Sequence, residues 1–499
     1  MSSKIGVRRL FVPACLCMLL AQVGGAQDLA EFEKKVTEFT LDNGLKFFLV
    51  ERHQTPVVSL FTYADVGSVD EHKGITGMAH LFEHMAFKGT TRIGTTNYTA
   101  EIAAMERMDQ IFKEIKQERR KGDRADKAKL EELKKKMDEA QKECDKFLVP
   151  DEFEGALERE GGAGLNAFTD NDYTGYICEL PSNKIELWMS MESERFLNPV
   201  IREFYKERDV VAEERRLGEN NPASRLFEDL LATAFKAHPY GEPIVGHMSD
   251  IQSMTRTEAE AWFAKNYRAS NLTVAIVGDV DPQEARKMAE TYFTRLPKGE
   301  KPEPVETVEP EQDGERRCVV VAKSQPVMAI GYHRTDINHP DNAVFDTISD
   351  ILANGRSSRL YKTLVKEKKI ATNVYAMANW SYKYPGLFIF YVYPAPNHTS
   401  KENEQAIYEV IDKLKTEPVT PEELQKAKTR ARASLISGLN SNFGLAYQVT
   451  FYQVLTGDWR NIFRQLNRIE AVTAEDIKRV AKQYFTHKNR TIGTIETES

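Results

Sequence analysis

The chain is poor in cysteine, with 5 among 499 residues. Cys15 and Cys17 fall in an apolar N-terminal stretch, which leaves Cys144, Cys178 and Cys318 for the rest. Three scattered thiols make neither a disulfide framework nor zinc-finger spacing. Any metal ion must therefore be held by histidine and carboxylate. An excess of positive charge is also missing. The 68 Lys+Arg against 75 Asp+Glu leave a net −7, and broad nucleic-acid binding wants a basic face. Beyond residue 23 no run approaches the ~20 apolar residues of a membrane-spanning helix. What is present is ordinary globular composition, 41% hydrophobic. The length exceeds the roughly 100–200 residues of one domain and implies two or three.

Residues 1–9 carry Lys4, Arg8 and Arg9 and no acid, residues 10–23 are apolar, and Gly24, Gly25 and Ala26 are small. Charged, apolar and small-residue regions in that order read as a secretory signal over 1–26, hence a periplasmic or secreted protein. The alternative is an uncleaved anchor or an organelle presequence.

Asn43-Gly44 between two β-rich runs signals a hairpin, and 57–66 is a further strand. Residues 74–87 switch to helical spacing. Residues 101–148 mix many basic and acidic side chains. Leu130, Leu133, Met137, Ala140, Cys144 and Phe147 are spaced 3-4-3-4-3 there, an a/d seam. Met105, Met108, Phe112 and Ile115 form a matching stripe, with Gly122-Asp123 as the turn. This predicts a helical hairpin projecting from the domain, its mixed charges a solvated face. Then come strand-like 165–179, helical 185–196, a buried strand at 271–278 and a helix at 282–293. The Pro/Glu-rich run 296–310 reads as a linker. Beyond it the order repeats: strands at 318–332, a helix at 342–352, strands at 372–393, then helices.

The chemistry concentrates in His80-Leu-Phe-Glu83-His84. At about 100° per residue all three polar side chains share one helix face. Two imidazoles a turn apart can each give a nitrogen to one Zn²⁺, and Glu83 stands beside them to take a proton from the attacking water. Catalytic zinc wants a third protein ligand. Among many carboxylates the run 207–214 stands out, with Glu207 and Glu214 seven apart on one helix face. A solvated acidic helix is the alternative there.

The motif His80 to His84, with its surroundings 74–90, resembles the pitrilysin-like (M16) metallopeptidases, which include insulysin and the mitochondrial processing peptidases. So do Glu207-Arg-Asp-Val-Val-Ala-Glu-Glu214, the run Asn166-Ala-Phe-Thr169, residues 238–246, 267–271 and 277–280, and Gly355-Arg-Ser-Ser-Arg-Leu-Tyr361. The resemblance covers about 36–499, in the short two-domain form. It implies an α+β fold of two homologous α/β-sandwich domains, here 27–295 and 315–499, joined by a linker at 296–314, with 101–148 as an inserted helical hairpin. It further implies that Glu214 is the third ligand of one Zn²⁺ per chain and that Glu207 is a supporting carboxylate of the active site. Asn166, Ala167 and Phe168 would form the edge strand that pairs with substrate. The implied activity is zinc-dependent endopeptidase action on extended or unfolded peptides in a closed chamber.

One departure bears on partners. Active relatives usually present an Arg and a Tyr, seven apart, from the domain facing the zinc. Lys366 and Thr372 stand there in this chain, with Arg359 and Tyr375 nearby. Lys lacks the planar fork of Arg, and Thr has no phenol. The expectation is a heterodimer whose second pitrilysin-like chain supplies the pair, a homodimer being the alternative. A non-catalytic scaffold subunit, or a metallohydrolase of another kind, are the competing functions.

Overall fold

Asn43-Gly44 does turn the chain. Gly44 takes φ +95°, a left-handed conformation that glycine adopts without strain. It joins β1 (Val36–Thr40) to β2 (Lys46–Glu51), paired from Val36↔Val50 to Thr40↔Lys46. The computed structural model describes residues 31–498. The signal assigned to 1–26 lies outside the described residues. Among those residues no helix is long and apolar enough to cross a membrane.

The first half continues with β3 (Val57–Ala64), α1 (Met78–Met85), α2 (Tyr98–Arg119), α3 (Lys127–Asp145), α4 (Glu152–Arg159), β4 (Ala163–Thr169), β5 (Thr174–Pro181), α5 (Ile185–Leu197), α6 (Phe204–Asn220), α7 (Pro222–Ala234), α8 (Met248–Ser253), α9 (Arg256–Asn266), β6 (Leu272–Gly278) and α10 (Pro282–Phe293). The second holds β7 (Arg316–Ala322), β8 (Met328–His333), α11 (Asn342–Ala353), β9 (Ala371–Trp380), β10 (Leu387–Pro394), α12 (Ser400–Thr416), α13 (Pro421–Leu439), α14 (Asn442–Thr456), α15 (Asn461–Ala471), α16 (Ala474–Tyr484) and β11 (Arg490–Thr497). The mixed α+β class and the internal duplication both appear in the sheets. The first runs β1-β2-β6-β3-β5-β4 and the second β7-β11-β8-β10-β9. Each has one parallel pair, β2 with β6 and β11 with β7, and is otherwise antiparallel. Without β1, the two orders correspond strand for strand.

Each sheet is covered on both faces, and each half lends a helix to the other. One face of the first sheet packs on its own helices, with Leu81, Phe82, Trp188 and Phe293 in the core. Its other face, through Phe48, Phe61 and Tyr63, is covered by Leu445, Ala446 and Val449 of α14. The second sheet packs Ile330, Phe388 and Phe390 against Phe345, Ile407 and Val480. Its opposite face, Val320, Ala329 and Ile389, receives Leu226 and Leu230 of α7. Burying each such large side chain is worth about 1.5–3 kcal/mol. The two halves are thus interlocked through their cores. Residues 297–313 hold no helix or strand, yet they are fastened. Glu309 accepts hydrogen bonds from the backbone of Lys236, Ala237 and His238, and Gln312 donates to the Arg490 carbonyl.

The helical hairpin is present as α2 and α3, with a short 3-10 turn at Gly122–Arg124. It does not stand away from the domain as the sequence reading expected. Met105, Met108, Phe112 and Ile115 are buried in the main core of the first half. The Phe112 ring lies 4.8 Å from Tyr205 of α6, and the Arg208 guanidinium sits 4.4 Å over it. Arg256 pairs with Asp109 at 2.5 Å. An apolar stripe on α2 is satisfied only by packing, so that helix is seated along α6 while α3 turns its charged face outward.

Candidate metal centre and active site

The helix bearing His80, Glu83 and His84 is held at its start by a buried acid. Glu71 accepts from the backbone N–H of Gly77 and of Ala79, both at 2.7 Å. These are among the orphan donors of a helix N-terminus. Gly77 is obligatory there: its φ is +91°, and a Cβ would lie 2.2 Å from the Val245 carbonyl oxygen. Met78, Ala79, Leu81, Phe82 and Met85 are buried, which turns the three polar side chains to the opposite face. Burial pushes the Glu71 carboxyl well above its usual range, and Glu71→Ala strips two buried N–H groups of their acceptor, an expected loss of about 2–3 kcal/mol. Denaturant unfolding of the variant against the parent measures it, alongside weaker metal retention.

Beside α1 lies α6, anchored by buried Phe204, Tyr205, Val211 and Ala212. It presents Glu214, 41% exposed, to both imidazoles: Oε2 is 3.7 Å from His80 Nε2 and Oε1 is 3.8 Å from His84 Nε2. One donor atom from each of the three lies within 4.8 Å of the others. Tetrahedral ligands about 2.1 Å from one zinc stand about 3.4 Å apart, so this donor set fits the ion once the three side chains close in around it. Burial and the neighbouring His84 depress His80 to about 4, keeping it neutral as a metal ligand must be.

Glu207 lies behind His84. Its Oε2 is 3.4 Å from His84 Nδ1 and its Oε1 is 2.6 Å from Lys88 Nζ. Burial would raise its carboxyl, but the hydrogen bonds from His84 and Lys88 and the lysine charge hold it near 2. A carboxylate on the far nitrogen of a ligand histidine fixes ring orientation and tautomer. Glu83 is partly buried, which raises its carboxyl, and it accepts from Thr169 Oγ1 at 2.7 Å.

Among the described residues the strand β4 is an edge, paired only with β5 and irregular between Ala163 and Asn166. Its residues alternate. Ala167 packs into the core on the α1 side, whereas Phe168 turns to the other face, 5.7 Å from the Tyr63 ring and over Gly175. Asn166 and Ala167 line a cleft of about 300 Å³ together with Glu83, His84, Phe87 and Glu207. The sequence-assigned residues His80, Glu83, His84, Glu207, Glu214, Asn166 and Ala167 thus converge, while the Phe168 ring points away. Sequence reasoning missed Glu71, Lys88 and Thr169. Thr169 closes the Asn166–Thr169 motif, and its hydroxyl was the available signal.

Two family models match this chain. Residues 46–108 and 145–247 match "Insulinase (Peptidase family M16)" and 253–431 match "Peptidase M16 inactive domain". The chain belongs to peptidase family M16. The stretch between the two segments of the first match is most of the α2–α3 hairpin. The chain is 28% identical to Zinc protease PqqE of Helicobacter pylori over 476 residues, 94% of each protein. The crystal structure of a protease from Helicobacter pylori superposes with TM-score 0.77 at 26% identity, over 93% of this chain and 99% of that one. The periplasmic protease PqqL from Escherichia coli shares the fold, with TM-score 0.69 at 16% identity over 93% of this chain and 47% of that one.

Proposed function

We propose that this M16 chain is a zinc-dependent endopeptidase acting on extended or unfolded peptides. The observation that carries the reading is the convergence of His80, His84 and Glu214 with Glu83 alongside. His80, His84 and Glu214 would hold one Zn²⁺, and Glu207 orients His84. Zinc held there would supply Lewis-acid chemistry, which makes water nucleophilic near neutral pH. Glu83 takes the proton of the attacking water. It then delivers that proton to the leaving amine. Substrate lies as an added strand on the β4 edge, so that backbone hydrogen bonds give affinity and pockets give preference. Relatives named zinc proteases support the reading. Cleavage of an unstructured peptide, lost on chelation and restored by Zn²⁺, is the expected result. No cleavage by the metal-replete protein with or without its partner overturns it.

The partner is a second pitrilysin-like chain. Lys366 is exposed and Thr372 donates to the Tyr393 carbonyl. The nearby substitutes are engaged: Arg359 is held by both oxygens of Glu423 at 2.7 Å, and Tyr375 stacks on Tyr391 at 5.3 Å. An Arg/Tyr pair from another chain would complete the donors for the developing oxyanion. Purification from the native source is expected to bring down a second M16 chain, and recovery of this chain alone sinks the heterodimer. The protein is periplasmic or secreted in this reading, and N-terminal sequencing of the mature form is expected to begin at Gln27.

A second reading, a non-catalytic scaffold subunit, is favoured by the match of 253–431 to the inactive-domain model. The metal-site residues lie in the half matched by the insulinase model, which favours catalysis. Activity that vanishes in a Glu83 variant decides between them.

A further inference from the structure

Thr169 ends the edge strand and donates its hydroxyl to Glu83 Oε2 at 2.7 Å. Building on the peptidase reading above, we propose that Thr169 is a positioning residue for Glu83. It holds one carboxylate oxygen so that the other is presented to the attacking water. The direction of its side chain follows from the strand. Leu165 and Ala167 pack toward the core that contains α1, and Thr169 is next in that alternation. Its register is set by pairing with Thr174.

The tip that follows Thr169 is fastened by the other half of the molecule. Asp170 N–H donates to the Tyr173 carbonyl at 2.9 Å. Asn171 accepts from Ser381, and Asp172 accepts from the Tyr240 hydroxyl and from the backbone N–H of Tyr382 and Lys383. Glu83 by contrast is a long side chain on a helix, with several staggered rotamers open to it. One hydroxyl on a clamped strand selects among them. The strand that would pair with substrate therefore also carries the group that aims the base, and peptide and base share one frame. That shared frame is what proximity catalysis needs.

Thr169→Val keeps shape and β-branching and deletes only the donor. The expected result is a kcat about 10–30-fold lower, the value of one hydrogen bond to a charged group, with KM within about twofold. Zinc content and thermal midpoint should match the parent. Thr169→Ser should recover kcat to within about threefold, since the hydroxyl returns. In zinc-loaded crystals the Glu83 carboxylate should change rotamer in Thr169→Val and keep its place in Thr169→Ser. A Thr169→Val enzyme with parental kcat and an unmoved carboxylate overturns the proposal. So does a loss confined to KM, or one shared equally by the serine variant. Should the parent hydrolyse no peptide, the peptidase reading fails, and the crystal comparison alone still decides whether Thr169 positions Glu83.

Discussion

Glu83→Gln is expected to lower kcat by about 10²–10⁴ and to leave zinc content at one per chain. The two halves of that result follow from different atoms. Gln is close in size to Glu and can accept from Thr169 through its carbonyl oxygen, so α1 packing through Leu81, Phe82 and Met85 is undisturbed. His80, His84 and Glu214 keep their separations because none of them depends on Glu83 for support. What disappears is a group able to take a proton: the amide has no basic oxygen near neutral pH. The measurement is peptide hydrolysis together with metal analysis of the same preparation. A variant that hydrolyses at the parental rate removes Glu83 from the mechanism. One that loses activity and zinc together makes Glu83 part of the metal site rather than the base. His80→Ala is the contrasting control, expected to lose both.

The second large effect is on stability. Arg202 is 2% exposed and faces Glu101, which is 1% exposed, through Nε at 2.5 Å and Nη2 at 3.0 Å. Its remaining donors go to the carbonyls of Lys88, Thr90 and Ile93. Those three residues form the loop that leaves α1, and Glu101 belongs to α2. One guanidinium therefore ties the exit of α1 to the base of the α2–α3 hairpin. There is no room around it. Gly94 has φ +90°, and a Cβ there would approach Arg202 Nη1 to 2.6 Å. Arg202→Met leaves Glu101 buried without a counter-charge and strips several carbonyls of their donor. Breaking one side of a buried pair costs about 3–5 kcal/mol, and this is the expected fall in unfolding free energy. Arg202→Met/Glu101→Leu is expected to recover a large part of it, because an apolar pair no longer strands a charge. Equilibrium denaturation of parent, single and double variants measures both. A single variant within about 1 kcal/mol of the parent would show that water reaches Glu101 or that the loop is held by other groups.

The contrast between these sites marks what could be read beforehand. His80, Glu83 and His84 were legible because a helix converts a five-residue spacing into one face, and that is local geometry. Glu214 sits 130 positions further along. Only a family resemblance could single it out from the other carboxylates, since no periodicity links one helix to another. Glu71, Arg202 and Thr169 work through contacts set by how α1, α2, α6 and β4 pack, and isolated Glu, Arg or Thr residues carry no signal of that. The strands and helices were legible to within a few residues, as at 282–293. The seating of the hairpin was missed for a related reason. A stripe of Met105, Met108, Phe112 and Ile115 announces a buried face, but part of what buries it, Tyr205 and Arg208 against Phe112, lies on α6 and not on α3. The direction of the Phe168 ring was not legible, because an edge strand offers two faces and alternation alone does not say which one meets α1.

The position of β6 has a consequence for how the molecule comes into being. It lies between β2 and β3, two strands adjacent in the chain, and it is made more than 200 residues after them. A chain still emerging from the ribosome, with residue 272 not yet added, has β2 and β3 with no strand to join them. By then His80, His84 and Glu214 have all been synthesised. The sheet beneath α1 closes only when β6 arrives, so these three side chains exist long before they have a floor to stand on. Pairing over such sequence distances is slow, and an unclosed sheet exposes strand edges to aggregation. Fragments that end before β6 should therefore aggregate rather than bind zinc, although His80, His84 and Glu214 are all in them.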